Sequence, residues 1–284
     1  ALAMKPYLQE LVALLLFLAA LRVGPDRMAG ISRLYLPTLG LVLVYQLVLP
    51  MTAIGLFSAV GMAQSSVAIS VVLMLSAPSI SGSPNLTVLN GSDPAPAFRL
   101  LILGTALLPA TVVPVLALLP DVSGAATIYL AAGRLLAVIA IAAGVAALIR
   151  RIWLRNPDAT TLASLDGLSA ITMAVAVIGF MSAVGPTLLT QPEALLGWLM
   201  LALAVNFGLQ VAAGLVLRPI TAATSLPGRA IVAGNRNIAL FLVALPTEVS
   251  DRILLFIGCY QIPMYTTPLV MAAFYRWCGC RDGG

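Results

Sequence analysis

The chain consists almost entirely of long apolar stretches joined by short polar links. Hydrophobic residues make up 61% of its 284 residues and charged residues only 9%, a composition outside the range of soluble domains. About 20 apolar residues cross the bilayer as a helix, and backbone in lipid must satisfy its own hydrogen bonds. Because the runs lack the alternation of barrel strands, we predict an all-α integral membrane protein. Nine spans are predicted, at residues 7–21, 34–57, 64–89, 97–119, 124–149, 160–184, 192–217, 225–245 and 251–277.

Basic residues concentrate in alternate links between these spans. The basic links carry Arg22, Arg27, Arg33, Arg99, Arg150, Arg151, Arg155, Arg218, Arg229, Arg276 and Arg281. The opposite links carry Asp121, Glu193, Glu248 and Asp251, with Lys5 and Arg252 as their few cations. The positive-inside rule predicts a cytoplasmic C-terminus and an outer N-terminus, in a multi-pass protein of a bacterial inner membrane. The net charge of +5 is then a consequence of this topology. The predicted partner is the lipid bilayer, and no nucleic-acid partner is predicted.

Two apolar stretches, near residues 100 and 254, resemble each other at a constant offset of 154 residues. The shared positions are Leu100/Leu254, Leu101/Leu255, Gly104/Gly258, Pro109/Pro263 and Pro114/Pro268. Five spans separate one stretch from the other, and an odd number of crossings reverses the direction of the chain. The sequence therefore predicts inverted repeats, the usual construction of secondary transporters, with a ligand site where the repeats meet.

Nine spans do not divide into equal repeats. The second repeat has five predicted helices and the first has four, so the partner of the span at 124–149 would precede Ala1. The opening residues lack the positively charged region of a signal peptide, and none is predicted.

Polar residues interrupt two of the predicted spans at corresponding points. Residues 77–85 contain two prolines, Gly82, and the polar Ser81, Ser83 and Asn85. The same offset carries this segment onto Asn235, Arg236 and Asn237. Helix breaks at membrane depth must be buried in protein or line a watery cavity, so we predict that these six polar residues bind a ligand. A simple proline kink satisfied by serines is the alternative for the first segment.

Arg236 lies several residues from either end of its predicted helix, where an unpaired cation costs several kcal/mol. One interpretation is that it binds an anionic substrate or replaces a bound cation. The other is that it bonds the carbonyl ends of the opposing broken helix.

Four further polar residues lie inside predicted spans. Gln46, Asn206 and Gln210 are predicted to form hydrogen bonds between helices. Arg134 has Asp166 or a substrate carboxylate as its predicted partner, and a hydrated interface position is an equal alternative.

The residue types argue against catalysis and resident cofactors. The chain has no His, and its three cysteines include only Cys278 and Cys280 as a close pair, too few ligands for a metal site. No nucleotide-binding loop or His-based triad is present, so no enzyme activity, cofactor or metal is predicted.

The sequence resembles the bile acid:sodium symporter family. The resemblance rests on three elements: the Ala-Pro-x-x-x-x-Ser pattern from Ala77 to Ser83, the segment 232–240 around Asn235, and Gln46 followed by Pro50. It implies a core domain, formed by residues 34–119 and 192–284, that holds two crossing discontinuous helices. It implies a panel domain formed by residues 1–33 and 120–191.

The family's substrates are organic anions, usually moved with Na⁺. Here Val232 stands where the family has a glutamate, and Arg236 where it has a glutamine. One carboxylate is lost and one guanidinium gained, so the resemblance implies Na⁺ but these two residues argue against its binding there.

Together these features predict a secondary active transporter that moves a bile-acid-like or small carboxylate anion by alternating access without a Na⁺ requirement. An auxin-efflux-type organic anion carrier is one alternative, and a non-transporting membrane receptor or scaffold is the other. The oligomeric state is left open, a monomer being one option.

Overall fold

A computed structural model describes residues 2–23, 35–119, 124–155 and 157–279. Over these residues the protein consists of helices joined by short turns and irregular links, with one isolated bridge and no strand. In the first half of the chain the helices are α1 (Leu8–Val23), α2 (Tyr35–Leu43), α3 (Leu49–Ala59), α4 (Ser66–Ser76), α5 (Ser83–Leu89) and α6 (Ala95–Ala117).

In the second half the helices are α7 (Ala125–Ile152), α8 (Ala159–Phe180), α9 (Val184–Thr190), α10 (Pro192–Leu217), α11 (Leu226–Gly234), α12 (Phe241–Ala244) and α13 (Thr247–Trp277). Short 3-10 turns cover Leu2–Tyr7, Arg218–Ile220, Ala223–Ser225 and Ile238–Leu240. The predictions also involve Arg27, Arg33, Asp121, Cys280 and Arg281, which lie outside the described residues.

The membrane-protein prediction is confirmed by the length and composition of the helices. Within the described ranges, seven helical segments are long and apolar enough to cross a bilayer. They correspond to seven of the nine predicted spans. The other two predicted spans, at 64–89 and 225–245, are the ones with polar interruptions, and each is divided into shorter helices. The protein is therefore an all-α, multi-pass membrane protein.

Local chemistry sets several helix ends. The Ser65 side chain accepts a hydrogen bond from the Ala68 N–H and caps α4. Asp158 caps α8 in the same way, and its hydrogen bonds with Thr161 hold the pKa of this carboxyl below its ordinary value. A π-helical turn, Val44–Val48, joins α2 to α3 just before Pro50. The wider turn accommodates the proline, which cannot donate a backbone hydrogen bond.

The helices pack as two groups. Helix α1 packs against both α7 and α8. The second group contains α2 to α6 and α10 to α13, in which α10 packs against α11 and α13, and α6 contacts α2 and α11. The groups meet where α6 contacts α7, α12 contacts α1 and α7, and α13 contacts α8. This boundary passes beside the two interrupted spans.

Candidate functional site

The first interruption separates α4 from α5. Helix α4 ends at Ser76, and the next residue, Ala77, is extended and precedes Pro78. The residue before a proline is driven out of the helical conformation, and Pro84 then lies in the first turn of α5, where a missing N–H costs nothing. The Ser79 hydroxyl donates to Ser83 Oγ at 2.7 Å. The serines thus satisfy polar groups within the break, as the proline-kink alternative requires.

The second interruption follows α11. This helix ends at Gly234, the chain is non-helical through Asn235, Arg236 and Asn237, and a 3-10 turn begins at Ile238. The Asn235 side-chain amide donates to the Ile231 carbonyl at 3.0 Å. The Ile231 carbonyl also accepts the backbone N–H of Asn235 at 2.9 Å, so Asn235 closes the end of α11 with both its backbone and its side chain.

The two interruptions pair with each other. The Ile80 N–H donates to the Asn235 carbonyl at 3.2 Å, and the Asn237 N–H donates to the Pro78 carbonyl at 2.8 Å. These bonds form an antiparallel bridge that places Ser79 opposite Arg236. Each break supplies backbone partners to the other, because polar backbone buried in a membrane protein cannot rely on bulk water.

Arg236 lies at the centre of this bridge and is 1% exposed. Its Nε donates to the Ala233 carbonyl at 3.0 Å, its Nη1 to the Ala77 carbonyl at 2.9 Å, and its Nη2 to the Tyr45 carbonyl at 3.4 Å. Ala233 and Ala77 lie at the C-terminal ends of α11 and α4, so the cation faces the negative ends of two helices. The guanidinium also lies 4.8 Å from the centre of the Tyr45 ring.

No carboxylate in the described part of the chain forms an ion pair with Arg236. Its bonds to Ala77 and Ala233 match the interpretation in which it holds the carbonyl ends of broken helices. Three of its five N–H groups are used in this way. Among the described residues, the positive charge faces the carbonyl ends of two helices and the Tyr45 ring instead of a carboxylate.

A small cavity adjoins the paired breaks. It lies between α1 and α8 on one side and the breaks, α6 and α13 on the other. Its polar lining consists of Ser81, Thr105, Arg236, Asn237 and Gln261. Its apolar lining consists of Val12, Leu15, Leu16, Ala19, Ile80, Leu101, Met173, Phe180, Ile238, Ala239 and Met264.

The structure brings three of the six predicted ligand residues to this cavity, namely Ser81, Arg236 and Asn237. The other three have different surroundings. Ser83 is fully buried and accepts a hydrogen bond from Ser79. Asn85 is exposed, and its side-chain oxygen accepts a hydrogen bond from Arg22 at 3.3 Å. Asn235 is fully buried and lies close to Asn206 and Thr267.

The three amides predicted to link helices are all buried and all bonded. Gln46 donates to the Gly104 carbonyl at 3.1 Å and accepts from Thr111 at 3.1 Å, which ties the π-helical turn to α6. Asn206 donates to the Gly234 carbonyl at 2.6 Å, and Gln210 donates to Asn206 Oδ1 at 2.7 Å. Asn206 and Gln210 thus hold α10 against the end of α11, and none of the three amides lines the cavity.

Arg134 does not line the cavity. Its side chain is exposed on α7, and Asp166, one of its two predicted partners, instead pairs with Arg22 at 2.6 Å. The prediction that Arg134 pairs with Asp166 is therefore corrected, because helices α1 and α8 bring Arg22 to that carboxylate.

Three cavity or bridge residues were not predicted as site residues. Gln261 and Thr105 line the cavity, and the Tyr260 hydroxyl donates to the Gly234 carbonyl beside the bridge. The signal for Gln261 was present, since it is a lone amide in the middle of an apolar span. Thr105 and Tyr260 carried no such signal, because threonine and tyrosine are common in membrane helices and only packing selects those that face a cavity.

Comparison with protein-family models gives no match, and comparison with curated proteins gives none. Composition and fold define the class, a multi-pass α-helical membrane protein. Among the residues that the structure describes, no group of three or more His, Cys, Asp or Glu side chains could hold a metal ion.

Proposed function

We propose that this protein is a secondary active transporter that moves an organic anion by alternating access. The observation that carries the proposal is the pairing of two helix breaks beside a cavity between two helix groups. Discontinuous helices that cross near the membrane midplane are typical of transporter substrate sites. A membrane receptor or scaffold has no evident need for two paired helix breaks next to a cavity.

Inverted repeats are part of this proposal. Helices α6 and α13 each contain two internal prolines, Pro109 and Pro114 in one and Pro263 and Pro268 in the other. The first break precedes α6 in the chain, and the second break precedes α13. On this proposal α1, α7 and α8 belong to the panel domain, and the helices around the breaks form the core domain.

Membership of the bile acid:sodium symporter family is proposed on the same grounds. Two of the three elements that resemble the family lie side by side in space: a Cβ atom added at Gly104 would lie 2.8 Å from Gln46 Nε2 and 3.7 Å from Pro78. The third element, around Asn235, pairs with the first. The three elements that resemble the family are distant in the sequence but adjacent in space, where the two helix breaks meet.

The proposed substrate is an anion because of the charge near the cavity. Arg236 is the only charged residue among the described lining residues, and no acidic side chain joins it there. A cation that faces carbonyls and an aromatic ring but no carboxylate leaves a positive potential in the cavity, and low-dielectric walls strengthen it. Arg236 on this proposal attracts a carboxylate while its bonds keep the helix ends together.

Transport is proposed to need no Na⁺ at the crossing. The carbonyls of Ala77 and Ala233, which are the kind of ligands that a cation takes at broken helices, already accept hydrogen bonds from Arg236. The nearby Val232 is apolar and 2% exposed, so it offers no carboxylate. The tethered guanidinium supplies the positive charge that a mobile ion would bring.

Alternating access requires contacts that break and form between the two helix groups. Lys5, just before α1, pairs with Asp251 of α13 at 2.9 Å. Near the other end of α1, Arg22 donates to Asn85 of α5. Both contacts join α1 or its leading turn to the helices around the breaks, and exposed pairs of this kind cost little to open.

The proposal is tested by uptake into liposomes that contain the purified protein. A panel of labelled monocarboxylates, including cholate and shorter acids, is offered in NaCl and in choline chloride. We expect saturable uptake of at least one acid at equal rates in both salts. The matched control is Arg236→Met, which keeps an unbranched side chain but removes the charge, and which should lower uptake without preventing insertion. Absence of saturable uptake for every acid would refute transport of this class.

A further inference from the structure

The C-terminal end of α7 concentrates positive charge at one end of an apolar helix long enough to cross the membrane. Arg150 and Arg151 lie in the last turn, and Arg155 follows shortly after the helix ends at Ile152. Arg151 and Arg155 are exposed, and Arg150 is partly buried. None of the three forms an ion pair within the described part of the chain.

A hydrogen bond holds Arg155 against the end of this helix. Its Nε donates to the Arg151 carbonyl at 2.8 Å. The carbonyls of a final helical turn lack partners within the helix and carry the negative end of its dipole, so this bond caps α7. Capping uses the Nε of Arg155 and leaves its two Nη groups without a hydrogen bond to a described residue. Two cationic residues, Arg151 and Arg155, therefore stay close together although their charges repel.

The acidic side chains of the neighbouring helix α8 are engaged with other groups. Asp158 accepts a hydrogen bond from the Thr161 N–H at 2.8 Å and caps α8. Asp166, further along α8, pairs with Arg22 at 2.6 Å. Among the described residues, the charge at the end of α7 is therefore available to an anion from outside the chain.

Large apolar side chains adjoin these arginines. Ile152 is 58% exposed and Trp153 is 76% exposed. Tryptophan is enriched at membrane–water interfaces, where its ring lies at the level of the lipid headgroups. Exposed apolar surface next to exposed guanidinium groups suits a molecule that has both an anionic head and acyl chains.

We propose that the C-terminal end of α7 binds the phosphate group of an anionic phospholipid. Arg151 and Arg155 donate hydrogen bonds to the phosphate oxygens, because a guanidinium group matches the geometry of phosphate. Trp153 and Ile152 pack against the glycerol and the adjoining part of the acyl chains. None of these residues lines the cavity beside the helix breaks, so the inference does not depend on the transport proposal.

Other arginines at helix ends or on exposed helix faces have different surroundings. The Arg218 guanidinium lies 4.9 Å from the centre of the Trp277 ring, which covers one of its faces. Arg22 is paired with Asp166. Arg134 is exposed on α7 but has apolar neighbours along the chain. The clustering of unpaired guanidinium groups beside exposed apolar side chains distinguishes the end of α7 from these positions.

The test measures lipid binding to the purified full chain by native mass spectrometry in detergent. Phosphatidylglycerol is compared with phosphatidylcholine of the same acyl chains, for the unmodified protein and for Arg151→Gln with Arg155→Gln. We expect the unmodified protein to bind phosphatidylglycerol about tenfold more tightly, because two arginine contacts with an anionic headgroup amount to roughly that factor. The double variant should lose most of this preference and bind phosphatidylcholine as before.

The matched control is Arg218→Gln with Arg276→Gln, which removes the same amount of positive charge at exposed positions near the ends of α10 and α13. This control should keep the preference, and gel filtration and thermal unfolding establish that both double variants are folded. The inference is overturned if the unmodified protein shows no headgroup preference, if the preference persists in Arg151→Gln with Arg155→Gln, or if the control loses it equally. Inorganic phosphate in excess should leave the lipid bound, because it has no acyl chain to contact Trp153. Displacement by phosphate would overturn the assignment of this site to a lipid.

Discussion

Arg236 joins the ends of α4 and α11 with a charge that no acidic side chain balances within the described residues. A guanidinium suits this position because its N–H groups spread in a plane and reach several carbonyls at once. A metal ion at the same carbonyls would approach the guanidinium closely. At about 4 Å and an effective dielectric constant of about 20, that repulsion is about 4 kcal/mol.

The double substitution Val232→Glu with Arg236→Gln should therefore create sensitivity to Na⁺. It removes the resident cation and adds a carboxylate beside the helix ends, so Na⁺ becomes the favoured partner. We expect the melting temperature in detergent to rise with NaCl relative to choline chloride, whereas the unmodified protein should melt equally in both.

The control for this prediction is Val232→Gln with Arg236→Gln, which has similar bulk but no added carboxylate. This control should melt at a lower temperature than the unmodified protein and should respond weakly to Na⁺. A saturable Na⁺ response in the unmodified protein would contradict the prediction.

The end of α11 lies close to the backbone of α10. A Cβ atom added at Gly234 would overlap the Asn206 carbonyl oxygen and come within 2.6 Å of Gln210 Cγ. The Gly234 carbonyl accepts hydrogen bonds from the side chains of Asn206 and Tyr260. Glycine is thus needed here for close approach of two helices, and the approach keeps the second break in register with the first.

Gly234→Ala should destabilise the protein by about 1–3 kcal/mol, because the overlap is with backbone that cannot rotate away. The matched control is Gly197→Ala in α10, where an added Cβ meets no atom within 4 Å. That change should be neutral or stabilising by about 0.5–1 kcal/mol, since alanine favours helix. Melting temperatures in detergent compare the two variants, and equal effects would argue against the close approach.

The nine-span topology depends on which links face the same side. Lys5 and Asp251 were both predicted outside, and their side chains are in contact. In a background without native cysteines, Arg151→Cys should react with a membrane-impermeant maleimide only from the cytoplasmic side. Glu248→Cys should react only from the outer side, and labelling of both from one face would refute the span count.

Movement of α1 against α13 is the predicted step of transport. In the same background, Lys5→Cys with Asp251→Cys should trap the protein when a reducible thiol cross-linker joins them, because the pair connects the two helix groups. Liposome uptake should fall to background and return on reduction. Arg22→Cys with Asp166→Cys, which joins α1 to α8 within one group, is the control and should not abolish uptake. Unchanged uptake with the first pair cross-linked would contradict alternating access at this boundary.

Membrane spans and helix breaks were predictable because their causes are local. An apolar run of about 20 residues must be helical in lipid whatever its neighbours are. Prolines and a glycine within 77–85, and three consecutive polar residues at 235–237, interrupt helices through their own backbone and side-chain chemistry. The amides Gln46, Asn206 and Gln210 were identified for a similar reason, since an apolar environment obliges them to find partners.

Partners and cavity walls were decided only by the tertiary structure. Ser83, Asn85 and Asn235 belong to the polar interruptions, yet none lines the cavity. Their hydrogen-bond partners are Ser79, Arg22 and Asn206, respectively. Asp166 is bonded to Arg22 instead of Arg134 because α1 lies against α8. Gln261 became a site residue through the packing of α13 beside the breaks. Local sequence determines where a helix must stop, whereas the neighbour that satisfies an exposed polar group depends on which distant helices meet there.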